Sequence, residues 1–390
     1  MKKLLSVLAF ALCVVVIFTF FRDYIEDMGS ALIFRLEENK TQAELTDVGS
    51  PYKFYYNHLE DIEKQAYNAI LSEIYSMPES IDVPRIDTVQ LDNVFWALLS
   101  DNPDLFFVGR CCTLVTSVFG TNCSVEYCIE KSEYEKLKSE LDEVCDKVIS
   151  SLTNPEDKWQ TELEIHDYIV DNCEYRMTKG NYLCSSAYGA LVDKAAACEG
   201  YSRAAKFLLD KVGIESTVLS GVSTAANGSG GAHMWNAVKL DGEYYYLDCT
   251  WDDPVSDDGK PVKIYSYFNI NDETISATHS DFSYDFECTA TAENYYIKTD
   301  RHFETYSRSD EKKLASIIAS ELDSGGSFVE VRFGSEKAYN TAISELIKKG
   351  RIYNVLSEAA KLTDVEISLK SLIYYNDPSL LTLSVTPEKN

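Results

Sequence analysis

The chain predicts an α+β fold in which one helix packs on an antiparallel sheet, between a helical-plus-hairpin region and a small α+β region. Three observations carry this. From Glu199 to Lys211 the residues Ala204, Phe207 and Leu208, with Val212 beyond, fall on one apolar stripe, and Gly213 is placed to stop the helix. Two strand-like runs, 233–240 and 243–251, flank Asp241-Gly242, a dipeptide suited to the two positive φ angles of a type I′ turn. From about residue 300, helical and strand patterns alternate to the end of the chain.

Taken in order, residues 1–30 read as a signal anchor or signal peptide. Lys2 and Lys3 precede an uncharged run of 18 residues from Leu4 to Phe21, followed by Arg22-Asp23. That run is long enough to span a bilayer, and no small-x-small cleavage site directly follows it. The basic end would stay in the cytoplasm and the rest would lie outside. The expectation is a cell membrane protein with one pass and its C-terminal domains outside, or alternatively a secreted one.

Residues 31–49 are a polar stem. The domain 50–152 opens with Ser50-Pro51 as N-cap and N1, then a helix striped by Tyr55, Leu59, Ile62, Ala66, Ile70 and Ile74. A second helix covers 88–100. Strands near 105–118 and 123–130 make a hairpin with Gly120-Thr121-Asn122 at its tip, and a charged helix spans 132–151. Cys111, Cys112, Cys123 and Cys128 flank that hairpin, where a disulfide would fit an oxidising compartment. The domain 153–298 holds the chemistry. The region 299–390 reads as a small α+β domain with helices at 309–323 and 335–348 and strands at 328–333, 365–374 and 379–386, without a nucleophile.

Inside 153–298 the hairpin fixes a geometry. If Leu240 pairs with Glu243, then Trp235 faces Asp248 and His233 faces Thr250. His233 and Asp248 become diagonal neighbours on one face, about 7 Å apart at the backbone. A one-residue slip would separate them. Cys198 opens the predicted helix, where free amides and the positive end of the dipole favour a thiolate. Cys198 as nucleophile, His233 as base and Asp248 as the group that orients the imidazole form a complete acyl-transfer set. The Cys198 amide is a candidate oxyanion donor and Tyr188 a second. Gly200 would leave room for a substrate backbone. The loop 225–231, Ala-Ala-Asn-Gly-Ser-Gly-Gly, would be a lid over the thiol.

Blander readings compete. Free cysteine is usually a small buried hydrophobe, and a lone histidine or aspartate on a strand is more often structural. Cys173, Cys184, Cys198, Cys249 and His233 could be zinc ligands, but they contain no C-x-x-C pair. Asp252, Asp253, Asp257 and Asp258 do not have EF-hand spacing, so a solvated acidic turn is the better reading. No cofactor motif is present. The net charge of −27 argues against nucleic acid as a partner and limits membrane contact to the N-terminal segment. The 26 tyrosines suit half-buried strand and helix positions better than a binding surface.

The segments Cys198-Glu199-Gly200-Tyr201, Gly213-Ile214, Gly221, His233-Met234-Trp235-Asn236 and Leu247-Asp248-Cys249-Thr250-Trp251 resemble the bacterial branch of the transglutaminase-like superfamily, with its papain-like thiol site. Ile165-His166-Asp167-Tyr168-Ile169 with Tyr175, and Tyr265-Ser266-Tyr267-Phe268-Asn269 with His279, are similar to the two ends of the same module. The likeness covers about 155–285, and Asp101 to Phe107 resembles the segment that precedes the thiol domain in bacterial relatives. The resemblance implies a papain/transglutaminase-like core and the roles given above to Cys198, His233 and Asp248. It implies acyl transfer or hydrolysis on a protein or peptide substrate outside the cell, with the cell wall as one setting. The alternative is a catalytically silent surface protein that keeps the fold for binding.

Overall fold

A computed structural model of the chain describes residues 52–118, 120–177, 180–225, 228–254, 262–326 and 328–389. It separates into two compact units, one ending at Leu137 and the other beginning at Lys138. Both combine helices with β-sheet, as the α+β reading requires.

In the first unit the expected single opening helix is two, Phe54–His58 and Asp61–Ile74. Glu60 is extended and begins a new capping box, its amide donating to the Glu63 carboxylate at 2.9 Å, so the ladder restarts there. Ser50 and Pro51 lie outside the described residues. The helix Thr88–Asp101 is capped by Asp87, and its last residue accepts the amides of Tyr55 and Tyr56. Strands β1 (Ile81–Val83), β2 (Val108–Ser117) and β3 (Gly120–Tyr127) form a sheet in the order β1-β3-β2. Ser117 pairs with Gly120, so Gly120 to Asn122 are strand and not the hairpin tip. The four hairpin cysteines are free thiols, which corrects the expected bridge.

The helix Tyr134–Ser151 runs across the boundary into the second unit, which continues with the helix Lys158–Asn172. Strands β4 (Glu174–Tyr175) and β5 (Ala195–Ala196) pair in parallel just ahead of the helix Cys198–Lys211. That helix is buried from Glu199 to Leu209. It packs on a sheet of β6 (Ser216–Thr224), β7 (Gly230–Leu240), β8 (Glu243–Leu247) and β9 (His279–Ser280), in the order β8-β7-β6-β9. Asn236 Nδ2 on β7 donates to Ser202 O at 2.9 Å and to Thr217 O at 3.3 Å, tying helix, β6 and β7 together.

The turn is as the dipeptide demands. Asp241 and Gly242 have φ of 50° and 92°, and Leu240 pairs with Glu243. β8 stops at Leu247, short of the expected Trp251, because Asp248 Oδ1 captures the amides of Thr250 and Trp251 and turns the chain. Gly230 and Gly231 pair with Thr224 and Ser223 inside the β6–β7 ladder, so the end of the expected lid is strand. Gly200 serves packing rather than substrate approach: a Cβ there would lie 2.7 Å from Cys184 O.

The C-terminal sheet is β10 (His302–Phe303), β11 (Val329–Phe333), β12 (Ile367–Asp377) and β13 (Thr382–Lys389), ordered β10-β11-β13-β12. Its own apolar core joins Phe303, Ile318, Val331, Leu356 and Val385. The expected helix 335–348 changes pitch, α over Glu336–Ala342 and π over Ile343–Lys348, and a helix Ile352–Ala359 follows that the sequence pattern did not suggest.

Among the described residues no helix is long and apolar enough to cross a membrane. That corrects the expectation of a single-pass membrane protein, with its signal anchor and its membrane contact. The run Leu4 to Phe21 that carried the expectation lies outside the described residues.

Candidate active site

Cys198 is the first residue of its helix, with Ala197 as N-cap, and is neither fully buried nor fully exposed. His233 lies on β7 and Asp248 just beyond the end of β8. The hairpin keeps the register set by its turn as far as Asn236 opposite Leu247, which leaves Asp248 one residue beyond the last pair. His233 Nε2 and Asp248 Oδ2 are 2.6 Å apart, and both side chains are buried. The diagonal proximity read from the sequence is therefore present. The second carboxylate oxygen accepts Thr250 N at 2.9 Å and Trp251 N at 3.1 Å, which fixes the plane of the group.

The electrostatics follow from these contacts. Burial opposes a charge on His233, but the charge and hydrogen bond of Asp248, joined by a hydrogen bond with the Cys198 thiol, raise its pKa to about 10. Burial works against an ionised Asp248 too, yet His233 and then His279 hold its carboxyl well below the usual carboxylate range. The imidazole is thus bracketed by thiol and carboxylate. With Nε2 committed to Asp248, Nδ1 is the nitrogen left for sulfur.

His279 on β9 was read in the sequence only as part of the module's end. Its Nε2 lies 3.1 Å from Asp248 Oδ2, the same oxygen that binds His233. Trp235 and Trp251 pack on both imidazoles, each 4.9 Å from the His279 ring centre. Among the described residues His233, Asp248 and His279 form the one grouping of three donors suited to a metal ion. Separations of 2.6 and 3.1 Å are hydrogen-bond distances. Ligand atoms arranged tetrahedrally around zinc would stand about 3.4 Å apart, given metal–nitrogen bonds of about 2.0–2.1 Å. The cluster is built as a hydrogen-bonded set.

Other expected residues fall elsewhere. The Tyr188 hydroxyl donates to Glu140 at 2.7 Å, which makes it a packing contact and not an oxyanion donor. Cys249 is buried, and desolvation pushes its thiol well above the ordinary value. Asp252 is not part of a solvated acidic turn. It is buried, accepts Tyr267 N at 2.9 Å and faces His166 Nε2 at 3.2 Å. Asp253 accepts the Tyr201 hydroxyl at 2.6 Å, and Asp257 and Asp258 lie outside the described residues.

His166 reaches Asp167 through Nδ1 at 3.1 Å. Burial lifts Asp252 to about 7, whereas His166 is raised to about 9 against its own burial. Because both His166 nitrogens face carboxylate oxygens, we assign the imidazolium and a charged Asp252. One helical turn earlier, Glu162 Oε2 accepts Asn269 Nδ2 at 2.8 Å. Glu162 Oε1 and Asn269 Oδ1 are buried without a hydrogen-bond partner. Burial, aided by the charge of Glu293 and opposed by Asn269 and His166, raises Glu162 to about 8. These groups brace the leading helix against the chain that follows Asp248.

Residues 142–249 match the model of the transglutaminase-like superfamily, which supports membership of that superfamily for this segment. The assignment supports a catalytic fold of the transglutaminase or cysteine-hydrolase type. Similar solved structures include a TGase, 14% identical with a TM-score of 0.26, over 43% of this chain and 48% of that one. A candidate cysteine protease from Cytophaga hutchinsonii is 13% identical with a TM-score of 0.23, over 40% of this chain and 65% of that one. A candidate protease from Parabacteroides distasonis ATCC 8503 is 16% identical with a TM-score of 0.22, over 38% of this chain and 34% of that one. The chain thus spans less than two thirds of the length of each of these structures. No curated protein matches it.

Proposed function

We propose that the protein performs thiol-dependent acyl transfer on protein or peptide amides, within a catalytic domain spanning 153–298. Cys198 is the nucleophile, His233 the general base and acid, and Asp248 the group that holds the imidazole. Sulfur attacks the amide carbonyl carbon and forms the S–C bond. The thiol proton, held on His233, passes to the leaving nitrogen as the C–N bond breaks. The thioester is then resolved by an amine, giving transfer, or by water, giving hydrolysis. The incoming nucleophile gives its proton to His233, the S–C bond breaks, and the thiolate returns. The Cys198 amide, at a helix start, is the donor we assign to the developing oxyanion.

The observation that carries this reading is the 2.6 Å contact of His233 Nε2 with a buried Asp248, on an imidazole that also bonds the thiol. The silent alternative needs a sealed or bridged sulfur. Cys198 is a free thiol of intermediate exposure, which favours the catalytic reading. The test is release of ammonia or amine from glutamine-containing peptides, with and without a primary amine acceptor. Turnover by the wild type and none by Cys198→Ala is the expected result. Equal turnover by both proteins would sink the proposal.

A further inference from the structure

Asp248 Oδ2 accepts two imidazoles, His233 Nε2 at 2.6 Å and His279 Nε2 at 3.1 Å. We propose that His279 is a positioning residue for the thiol chemistry: its Nε2–H holds the Asp248 carboxylate ionised and aimed at His233. This rests on the catalytic reading of Cys198, His233 and Asp248.

The hydrogens can be ordered along the chain of contacts. An ionised carboxylate only accepts, so His279 Nε2 must carry the hydrogen. His279 Nδ1 then accepts the Thr278 hydroxyl at 2.9 Å, and Thr278 Oγ1 accepts the Tyr267 hydroxyl at 3.2 Å. The Thr278 hydroxyl also lies 3.5 Å from Ile275 O, but His279 Nδ1 is its nearer acceptor, and the contacts end on the oxygen that His233 uses. His279 is buried and wedged between Trp235 and Trp251, so its ring is held in that orientation. The arrangement spans elements far apart in the chain: β9 is joined to the sheet through β6, while Asp248 follows β8. Asp248 is therefore pinned from two directions, by backbone amides on Oδ1 and by His279 on Oδ2.

Other titratable groups also face the pair. Tyr175 feels Cys198 and Asp248 from the thiol side, and Tyr267 has Asp377 behind it. Cys249 and Asp252 lie along the turn. Among the described residues the Asp248 carboxylate bonds His233, His279 and the amides of Thr250 and Trp251, so removing His279 deletes a specific donor. With one donor lost, Asp248 takes up its proton at higher pH, and the His233 pairing fails earlier on acidification.

The test follows Cys198 with a dipyridyl disulfide probe, reactive with thiolates at acid pH, in the full chain and with mass spectrometry of the Cys198 peptide. Wild type should react rapidly, and His233→Ala should not. His279→Leu, which fills the space without a donor, should react about tenfold slower, with its acid limb moved up by about one pH unit. His279→Gln can offer an amide N–H to the same oxygen and should restore the limb. A His279→Leu profile matching wild type overturns the inference, and so does equal impairment of the Leu and Gln variants. If His279→Leu does not fold, the 15N histidine spectrum of the wild type decides. A hydrogen on His279 Nε2 supports the assignment, and an Nδ1–H tautomer overturns it. Wild type no more reactive than His233→Ala would instead refute the catalytic reading itself, and this inference with it.

Discussion

Replacing Glu162 by Gln should make the protein more stable at alkaline pH and less sensitive to pH. Glu162 is fully buried on the leading helix, and its carboxyl is raised to about 8 from an ordinary 4.5. For an acid raised in the folded state, the contribution to stability is complete below the unfolded value and is lost as pH rises through the folded one. A tenfold change in proton affinity is worth about 1.4 kcal/mol, so the loss reaches at most about 5 kcal/mol well above pH 8. Between pH 5 and 8.5 the same arithmetic gives up to about 4 kcal/mol. The hydrogen bonds point the same way. Glu162 Oε1 and Asn269 Oδ1 both lack partners, on side chains already joined by one bond. A proton on Oε1 would satisfy both, and the Gln amide would do so at any pH. Urea unfolding of both proteins at pH 5 and 8.5 measures the difference, with other titrating groups cancelling in the comparison. Glu162→Gln should match wild type within about 1 kcal/mol at pH 5 and exceed it by a few kcal/mol at pH 8.5. Parallel losses in the two proteins would refute a protonated Glu162.

Three further outcomes are expected. Cys198→Ala should abolish amide-directed turnover while leaving the melting temperature within a few degrees of wild type, because the side chain is small and partly exposed. Asp248→Asn should cut the rate about 10³- to 10⁴-fold, the scale of loss when an imidazole loses its orienting carboxylate. It should also bring His233 down from about 10 toward its ordinary range in a histidine NMR titration. By linkage, wild type then loses the His233 contribution to stability as pH rises from about 6.5 through about 10, and this loss should be absent in the variant. Asn236→Ala removes two buried hydrogen bonds, one from β7 to the Cys198 helix and one to β6, and should cost about 1–3 kcal/mol in chemical denaturation.

What could be read from the sequence was what local chemistry fixes. Asp241-Gly242 needs no tertiary context to turn, so the register that brings His233 to Asp248 follows from two residues and a period of two. The Cys198 helix was equally legible from its stripe and Gly213. The end of β8 was not, because side-chain capture of two amides by Asp248 competes with the ladder and leaves no trace in hydrophobic alternation. The break at Glu60 could have been found: Glu60-Asp61-Ile62-Glu63 carries acidic side chains at both ends of a capping box, but the apolar stripe runs straight through it. His279 and His166 were out of reach. His279 meets Asp248 across 31 residues and His166 meets Asp252 across 86, and although Asp167 stands beside His166, no local pattern names those distant carboxylates. The membrane expectation rested on the apolar run Leu4 to Phe21 and its flanks, which lie outside the described residues.

The two-residue turn also bears on the order in which the site can be assembled. His233 and Asp248 are 15 residues apart and joined by a single hairpin, whereas the Asn236–Ser202 bond that docks the thiol helix closes 34 residues. Loop closure costs more as the loop lengthens, and long-range contacts are correspondingly slow to form. Base and carboxylate can therefore meet before the thiol arrives, and His279 can join only after a further 31 residues beyond Asp248. During synthesis the sulfur would emerge first and wait, without its base, until the sheet behind it had closed.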